Sequence, residues 1–385
     1  MRSKPFTRIL SLALFGIPFC GVAATGGEPV ALSVRDLSLR EKVGQLFVLR
    51  PDALEDQRLI AELENTSAAG TTEVTDAIRA KYDQYPCGGF ALFRKNIVSP
   101  EQLKQFTQDL HGLNEKIPPL LAIDEEGGRV TRIAGHPNKA FNEPVIPSMG
   151  VLAAAGDPER VRETAQTIGT YLKEYGLDID FAPVADVNTC PENPIMGDRA
   201  FGDDPEVAAT MVRAYIHGLH DSGIASCIKH FPGHGDTSSD THTGYAETLK
   251  TWEEISACEM LPFRAGIEAG TEFVMTAHIS TPNVTGCALP ATMSDILLTE
   301  KLRGELGFEG LIITDALAMG AVSNQYTSAE ACVTCLKADA DLLLMPYDYE
   351  EAFEGVLRTV ESGELTEERI DQSVERILKF KFRTH

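Results

Sequence analysis

Eight short apolar runs, segments of helical period between them, and polar residues gathered where the runs end predict an α/β fold, a TIM-like (β/α)8 barrel forming a single catalytic domain. The runs lie at 45–49, 89–93, 120–123, 179–183, 225–228, 273–277, 311–314 and 341–345. They are too short for helices and carry the aliphatic and aromatic residues of buried strands. Segments 158–175, 205–221, 252–269 and 294–306 have helical periodicity and are long enough to cross between parallel strands.

Taken in order, the polar residues follow the strands as barrel chemistry requires, because active groups collect at strand C-terminal ends and in the loops beyond. The polar segment 64–85, rich in Thr and Ala, reads as an elaborated connection after the first strand. Asp124 to Arg129 follow the third strand, Asp186 and Asp198-Arg199 the fourth, and Lys229-His230 open the loop after the fifth. His278 follows the sixth, Asp315 ends the seventh, and Tyr347-Asp348 follow the eighth. Helical sequence at 367–380 closes the pattern with no linker or second domain expected, so 25–385 is read as one barrel domain.

Residues 1–24 read as a signal peptide, since Arg2, Lys4 and Arg8 precede an apolar run at 9–19 too short to span a bilayer comfortably. Val22 and Ala24 place small residues at −3 and −1, so cleavage after Ala24 is expected. The mature chain would then be exported, periplasmic or extracellular, without stable membrane insertion. Lipid anchoring at Cys20 is the lesser expectation, because bulky Phe19 precedes it.

The whole 385-residue chain is 43% hydrophobic and 24% charged, the composition of an ordinary globular enzyme. A formal net charge of −23 repels phosphate backbones, so no nucleic-acid partner is expected. A monomer is the expected state. Cleavage at Ala24 would leave seven of the eight cysteines, an odd number that excludes a complete disulfide framework. Cys332 and Cys335 have redox- or metal-pair spacing, but they fall in a helical pattern at 328–337 and are expected as small buried residues.

The densest chemistry is the fourteen-residue stretch 229–242, Lys-His-Phe-Pro-Gly-His-Gly-Asp-Thr-Ser-Ser-Asp-Thr-His, with one Lys, three His and two Asp. Asp240 and His242 are two apart, so in an extended stretch the carboxylate can orient the imidazole and favour its charged form. His230, His234, Asp236 and His242 read instead as metal ligands would make a metal-dependent hydrolase, although no His pair of H-E-x-x-H type is present. A non-catalytic sugar-binding protein is the reading from another class, and would want aromatic platforms, yet Trp252 is the sole Trp. At 311–320, an apolar strand ends in the lone carboxylate of Asp315 followed by small residues, which leaves space in front of a nucleophile. A helix N-cap explains that Asp equally well. The run 121–132, Leu-Ala-Ile-Asp-Glu-Glu-Gly-Gly-Arg-Val-Thr-Arg, presents carboxylates and arginines suited to sugar hydroxyls, or to a structural ion-pair network.

Together, Lys229-His-Phe-Pro-Gly-His-Gly-Asp-Thr with Asp240-Thr-His242, Ile123-Asp-Glu-Glu-Gly-Gly-Arg-Val-Thr-Arg132, Gly197-Asp-Arg-Ala-Phe-Gly202 and Ile313-Thr-Asp-Ala-Leu-Ala-Met319 resemble glycoside hydrolase family 3 β-N-acetylglucosaminidases of the single-domain, bacterial cell-wall-recycling type, over about residues 36–380. The resemblance implies a retaining exo-glycosidase in which Asp315 forms a glycosyl-enzyme and His242, held by Asp240, is general acid and then base. It also implies that Asp124, Arg132, Arg199, Lys229 and His230 bind the terminal sugar of an N-acetylglucosamine-containing oligosaccharide or muropeptide. No metal and no cofactor is implied. Thr241 stands where Ser is common and Glu125 where Gln is frequent. Two-domain β-glucosidases of the superfamily usually follow the nucleophile with Trp, where this chain has Ala316. Substrate-assisted hexosaminidases use an adjacent Asp-Glu pair, which Asp124-Glu125 matches only superficially. The sequence leaves the aglycone open, as it does the choice between water and phosphate as acceptor.

Overall fold

Eight parallel strands, all buried, wind around the core: β1 (Phe47–Leu49), β2 (Gly89–Leu92), β3 (Leu120–Ile123), β4 (Ile179–Asp180), β5 (Ala225–Phe231), β7 (Phe273–Thr276), β9 (Leu311–Thr314) and β10 (Leu343–Leu344). Two further short strands, β6 (Ala246–Glu247) and β8 (Ile279–Ser280), pair with each other outside this sheet. The computed structural model describes residues 32–55, 70–193, 195–237 and 246–383, so the signal-peptide reading and Cys20 lie outside the described residues. The sheet order is β10-β1-β2-β3-β4-β5-β7-β9. A parallel bridge between Ile313 and Leu342, with Thr314 N–H donating to Leu342 O at 3.0 Å, joins β9 back to β10 and closes the barrel.

All eight predicted strands are present, and helices Pro158–Glu174, Pro205–Asp221, Ser328–Lys337 and Glu367–Lys381 fall where the periodicity placed them. Asp157, Asp204 and Thr327 cap three of these with side-chain oxygens on free N–H groups, which fixes their starts. Three segments differ in detail. The connection read at 64–85 contains the helix Asp76–Gln84, capped by Thr75, which supplies the crossover from β1 to β2. The predicted helix at 252–269 is two, Trp252–Ala257 and Met260–Glu268. Pro262 explains the break, because its ring would clash with the carbonyl of Cys258, four residues earlier. Ile296–Glu305 is wound wider than an α-helix, and Leu306 N–H closes it on Lys301 O at 2.9 Å.

The strand N-terminal ends share one device. Asp178, Glu272 and Asp341 stand just before β4, β7 and β10, and each carboxylate accepts a backbone N–H from a neighbouring strand: Leu121 at 2.8 Å, Ser226 at 3.0 Å and Ile312 at 2.9 Å. Cationic or imidazole partners complete each cap, His111 for Asp178, His220 and Arg383 for Glu272, and Arg303 and Arg376 for Asp341. Charge at this end stabilises the barrel, which leaves the opposite rim free for chemistry. Cys332 and Cys335 are buried in their helix with free thiols, as the sequence pattern implied.

Candidate active site

At the C-terminal rim, the strand ends open into a cavity of about 540 Å³ whose walls include Asp124, Glu126, Arg132, Arg199, Lys229, His230 and Asp315. Strand alternation builds one wall: Asp124 and Glu126, two apart, both face the cavity, while Glu125 between them does not line it. Glu125 is buried and accepts the N–H groups of Arg132, Ile133 and Ala134 at 2.6, 3.0 and 2.7 Å and the hydroxyl of Tyr171 at 2.9 Å. It therefore shapes the loop after β3 and cannot form a catalytic pair with Asp124. Gly127, at φ +99°, turns the chain so closely beneath the loop that a Cβ would sit 2.5 Å from Pro147 O.

Lys229, buried at the end of β5, bridges Asp124 Oδ1 at 2.8 Å and Glu126 Oε1 at 2.6 Å. Arg199 grips Glu126 with two parallel bonds, Nε at 2.9 Å and Nη2 at 2.8 Å, and Arg132 Nη2 lies 3.3 Å from Asp124. Burial opposes the charge on each carboxylate most strongly, but the nearby cations together outweigh it: Lys229 with Arg132 lowers the pKa of Asp124, and Lys229 with Arg199 holds Glu126 well below the usual carboxylate range. Burial likewise opposes the charge on Lys229, and Asp124 and Glu126 overcome it to raise its pKa. The result is a fixed, fully ionised set of donors and acceptors that can meet several hydroxyls without reorganising. Arg132 Nε is buried and has no hydrogen-bond partner among the described residues, a donor available to a ligand.

His230 is oriented by Asp186, whose Oδ2 lies 2.7 Å from Nδ1, and the same carboxylate accepts the backbone N–H of His230 at 3.2 Å and of His234 at 2.6 Å. Asp186 is fully buried, and the imidazoles of His230 and His234 with the His234 N–H overcome that burial to keep its pKa low. Of the four residues read as metal ligands, the three described each have a protein partner: His230 pairs with Asp186, His234 Nδ1 lies 2.8 Å from Thr237 Oγ1, and Asp236 faces Lys250. No group of three or more His, Cys, Asp and Glu residues among those described could hold a metal. Asp240 and His242 lie outside the described residues.

Asp315 follows β9 directly. Its backbone N–H donates to Thr276 O at 3.0 Å and its Oδ1 accepts from Ala316 N at 2.7 Å. No helix starts there; the next, Gly320–Ser323, has Met319 as its cap, so the N-cap reading of Asp315 fails. His278 Nε2 lies 2.9 Å from Ala316 O and holds the turn beside the carboxylate. Small Ala316 keeps the face of Asp315 open to the cavity, whose remaining lining includes four thioethers, Met196, Met275, Met319 and Met345. The structure thus brings together six predicted site residues: Asp124, Arg132, Arg199, Lys229, His230 and Asp315. Sequence reasoning missed Glu126, and it noted Asp186 without its role in orienting His230.

The description "Glycosyl hydrolase family 3 N terminal domain" matches residues 38–380, which contain every described element of this rim. The chain belongs to glycosyl hydrolase family 3. Among its relatives is a protein named Beta-hexosaminidase A from Pseudoalteromonas piscicida, 32% identical over 337 residues, covering 81% of this chain and 56% of the relative. A Beta-hexosaminidase from Nitrosomonas eutropha is 36% identical over 293 residues, 74% of this chain and 81% of that one. In three dimensions, a glycoside hydrolase family 3 β-N-acetylglucosaminidase from Paenibacillus sp. aligns with TM-score 0.81 and 36% identity, over 90% of this chain and 62% of its own. A β-N-acetylhexosaminidase from Beutenbergia cavernae gives TM-score 0.78 at 27% identity, over 90% of this chain and 99% of its own. The chain therefore spans somewhat more than half the length of the Pseudoalteromonas and Paenibacillus relatives.

Proposed function

We propose that this family 3 barrel is a retaining exo-β-N-acetylglucosaminidase that releases terminal β-linked N-acetylglucosamine from cell-wall fragments or related oligosaccharides. Asp315 is the nucleophile, and Asp240 with His242 forms the acid/base dyad. One observation carries the reading: an accessible carboxylate at a strand end shares its cavity with the pre-ionised Asp124, Glu126, Arg132, Arg199 and Lys229 network. The names of the relatives at 32% and 36% identity support the sugar specificity.

The chemistry follows from these positions. The network and His230 hold the terminal sugar by its hydroxyls, so that its anomeric carbon faces Asp315. Attack by the Asp315 carboxylate breaks the glycosidic bond as the protonated His242 ring delivers a proton to the departing oxygen. Asp240 supports the imidazolium before transfer. The neutral ring then takes a proton from water, which displaces Asp315 and regenerates both groups. Every proton and charge is supplied by side chains, so dialysis against a chelator is expected to leave the rate unchanged.

Two inversions return the centre to its original configuration. Proton NMR of the first sugar released from 4-nitrophenyl N-acetyl-β-glucosaminide is expected to show the β anomer before mutarotation. Initial appearance of the α anomer would remove Asp315 from its role as nucleophile. We further propose export as a monomer after cleavage following Ala24, for which amino-terminal sequencing of the mature protein should read Thr-Gly-Gly-Glu.

A further inference from the structure

We propose that Asp236 is a positioning residue of this reaction, one that ties together the two stems of the segment carrying Asp240 and His242. The proposal rests on the reading of His242 as acid/base. Asp236 stands on the leading stem and Thr248 on the trailing one. Their side chains meet, with Thr248 Oγ1 donating to Asp236 Oδ2 at 2.7 Å. The other carboxylate oxygen, Oδ1, accepts from Thr189 Oγ1 at 3.2 Å and lies 3.1 Å from Lys250 Nζ. One carboxylate thus joins residues before and after the segment to the loop that follows β4.

Each stem is separately fixed to the barrel. On the leading side, Gly235 O accepts the Cys190 N–H at 3.0 Å, and Asn193 Nδ2 reaches His234 O at 2.8 Å. Gly235 is obligatory here, since a Cβ would lie 1.8 Å from Val187 O. On the trailing side, β6 pairs with β8, Thr248 N–H donates to Ser280 O at 3.0 Å, and Lys250 binds Glu259 Oε1 at 2.5 Å. The carboxylate shared by Thr189, Thr248 and Lys250 joins the leading stem, the trailing stem and the loop after β4 at one point. It sets where the stems stand relative to each other and to the cavity, and therefore where an acid/base group borne between them arrives. The Asp236 carboxylate does not line the cavity, so it acts through the segment and not on the sugar.

The test separates proton delivery from everything else by varying the leaving group. A 2,4-dinitrophenyl N-acetyl-β-glucosaminide needs almost no protonation, whereas the disaccharide of two β-1,4-linked N-acetylglucosamines needs it fully. For Asp236→Ala, kcat/KM on the disaccharide is expected to fall by on the order of 10- to 100-fold, with the dinitrophenyl substrate losing less than about threefold in the glycosylation step. Thr248→Val should shift the ratio the same way, and the double variant should be no worse than Asp236→Ala alone, because both act on one contact. Asp236→Asn, which keeps the volume and one acceptor oxygen but removes the charge facing Lys250, serves if the Ala variant fails to fold. Equal losses on both substrates would mean a purely structural role and overturn the proposal, as would an unchanged disaccharide rate. His242→Ala is measured in parallel. If it lacks the leaving-group dependence, the acid/base reading falls and takes this proposal with it. If it shows the dependence and Asp236→Ala does not, the stem contact alone is refuted.

Discussion

Asp315→Ala is expected to lose turnover by on the order of 10⁴-fold or more while the protein stays folded, with stability changed by less than about 1 kcal/mol. The two halves of this expectation have separate causes. The activity loss follows because the other carboxylates described in the cavity wall are tied into ion pairs: Asp124 is held by Lys229 and Arg132, and Glu126 by Lys229 and Arg199. The stability change is small because Asp315 is part-exposed at the rim, and its side-chain bond to Ala316 N is a local one. A small anion such as azide should enter the space vacated by the carboxylate and restore part of the rate on the dinitrophenyl substrate. Because that anion attacks once, from the face Asp315 used, the rescued product should be the α-glycosyl azide. A β-glycosyl azide, or a variant retaining more than about a hundredth of the activity, would assign the nucleophile elsewhere.

The barrel was legible because its strands are apolar runs broken by polar rims, a contrast that survives in a single sequence. Asp315, Lys229 and His230 were legible for the same reason: each ends an apolar run, where a charged side chain has little structural purpose. Glu126 was not singled out, although the signal for it lay in the run Asp124-Glu125-Glu126. Side chains alternate along an extended stretch, so a cavity that receives Asp124 also receives Glu126 and turns Glu125 away. What sequence could not supply was the burial of Glu125 under three backbone N–H groups, which depends on the fold of residues 132–134. The pairing of Asp186 with His230 was hidden likewise, since 44 residues separate them and only the adjacency of β4 and β5 joins them. The helix break before Met260 was missed for a more local reason. The periodicity at 252–269 took no account of Pro262, which lies well inside that span and disrupts a continuous helix there.

The largest remaining expectation concerns the dyad. A carboxylate beside an imidazole stabilises the protonated ring and should lift its pKa above the ordinary value of about 6.5. The first step uses that proton, so kcat/KM should hold a plateau while Asp315 is ionised and His242 protonated, and fall as the pH rises through the pKa of His242 in the free enzyme. Asp240→Asn keeps the shape of the side chain and removes its charge. The ring then loses its proton at lower pH, so the alkaline limb should move towards acid by about one unit, and the rate at neutral pH should drop with it. His242→Ala should cost on the order of 10²- to 10⁴-fold on the disaccharide, the usual range for a general acid, and far less in the first step of the dinitrophenyl substrate. With that activated substrate the second step still needs a base to take the proton from water, so His242→Ala should accumulate the glycosyl-enzyme. A burst of dinitrophenol, followed by a slow steady state, is the expected trace. An alkaline limb that stays in place in Asp240→Asn, or normal disaccharide turnover in His242→Ala, would show that the proton comes from another group. Three of the described groups lining the cavity are poorly placed to be that substitute: Asp124 and Glu126 are held ionised below the usual carboxylate range, and Lys229 is held protonated by both of them.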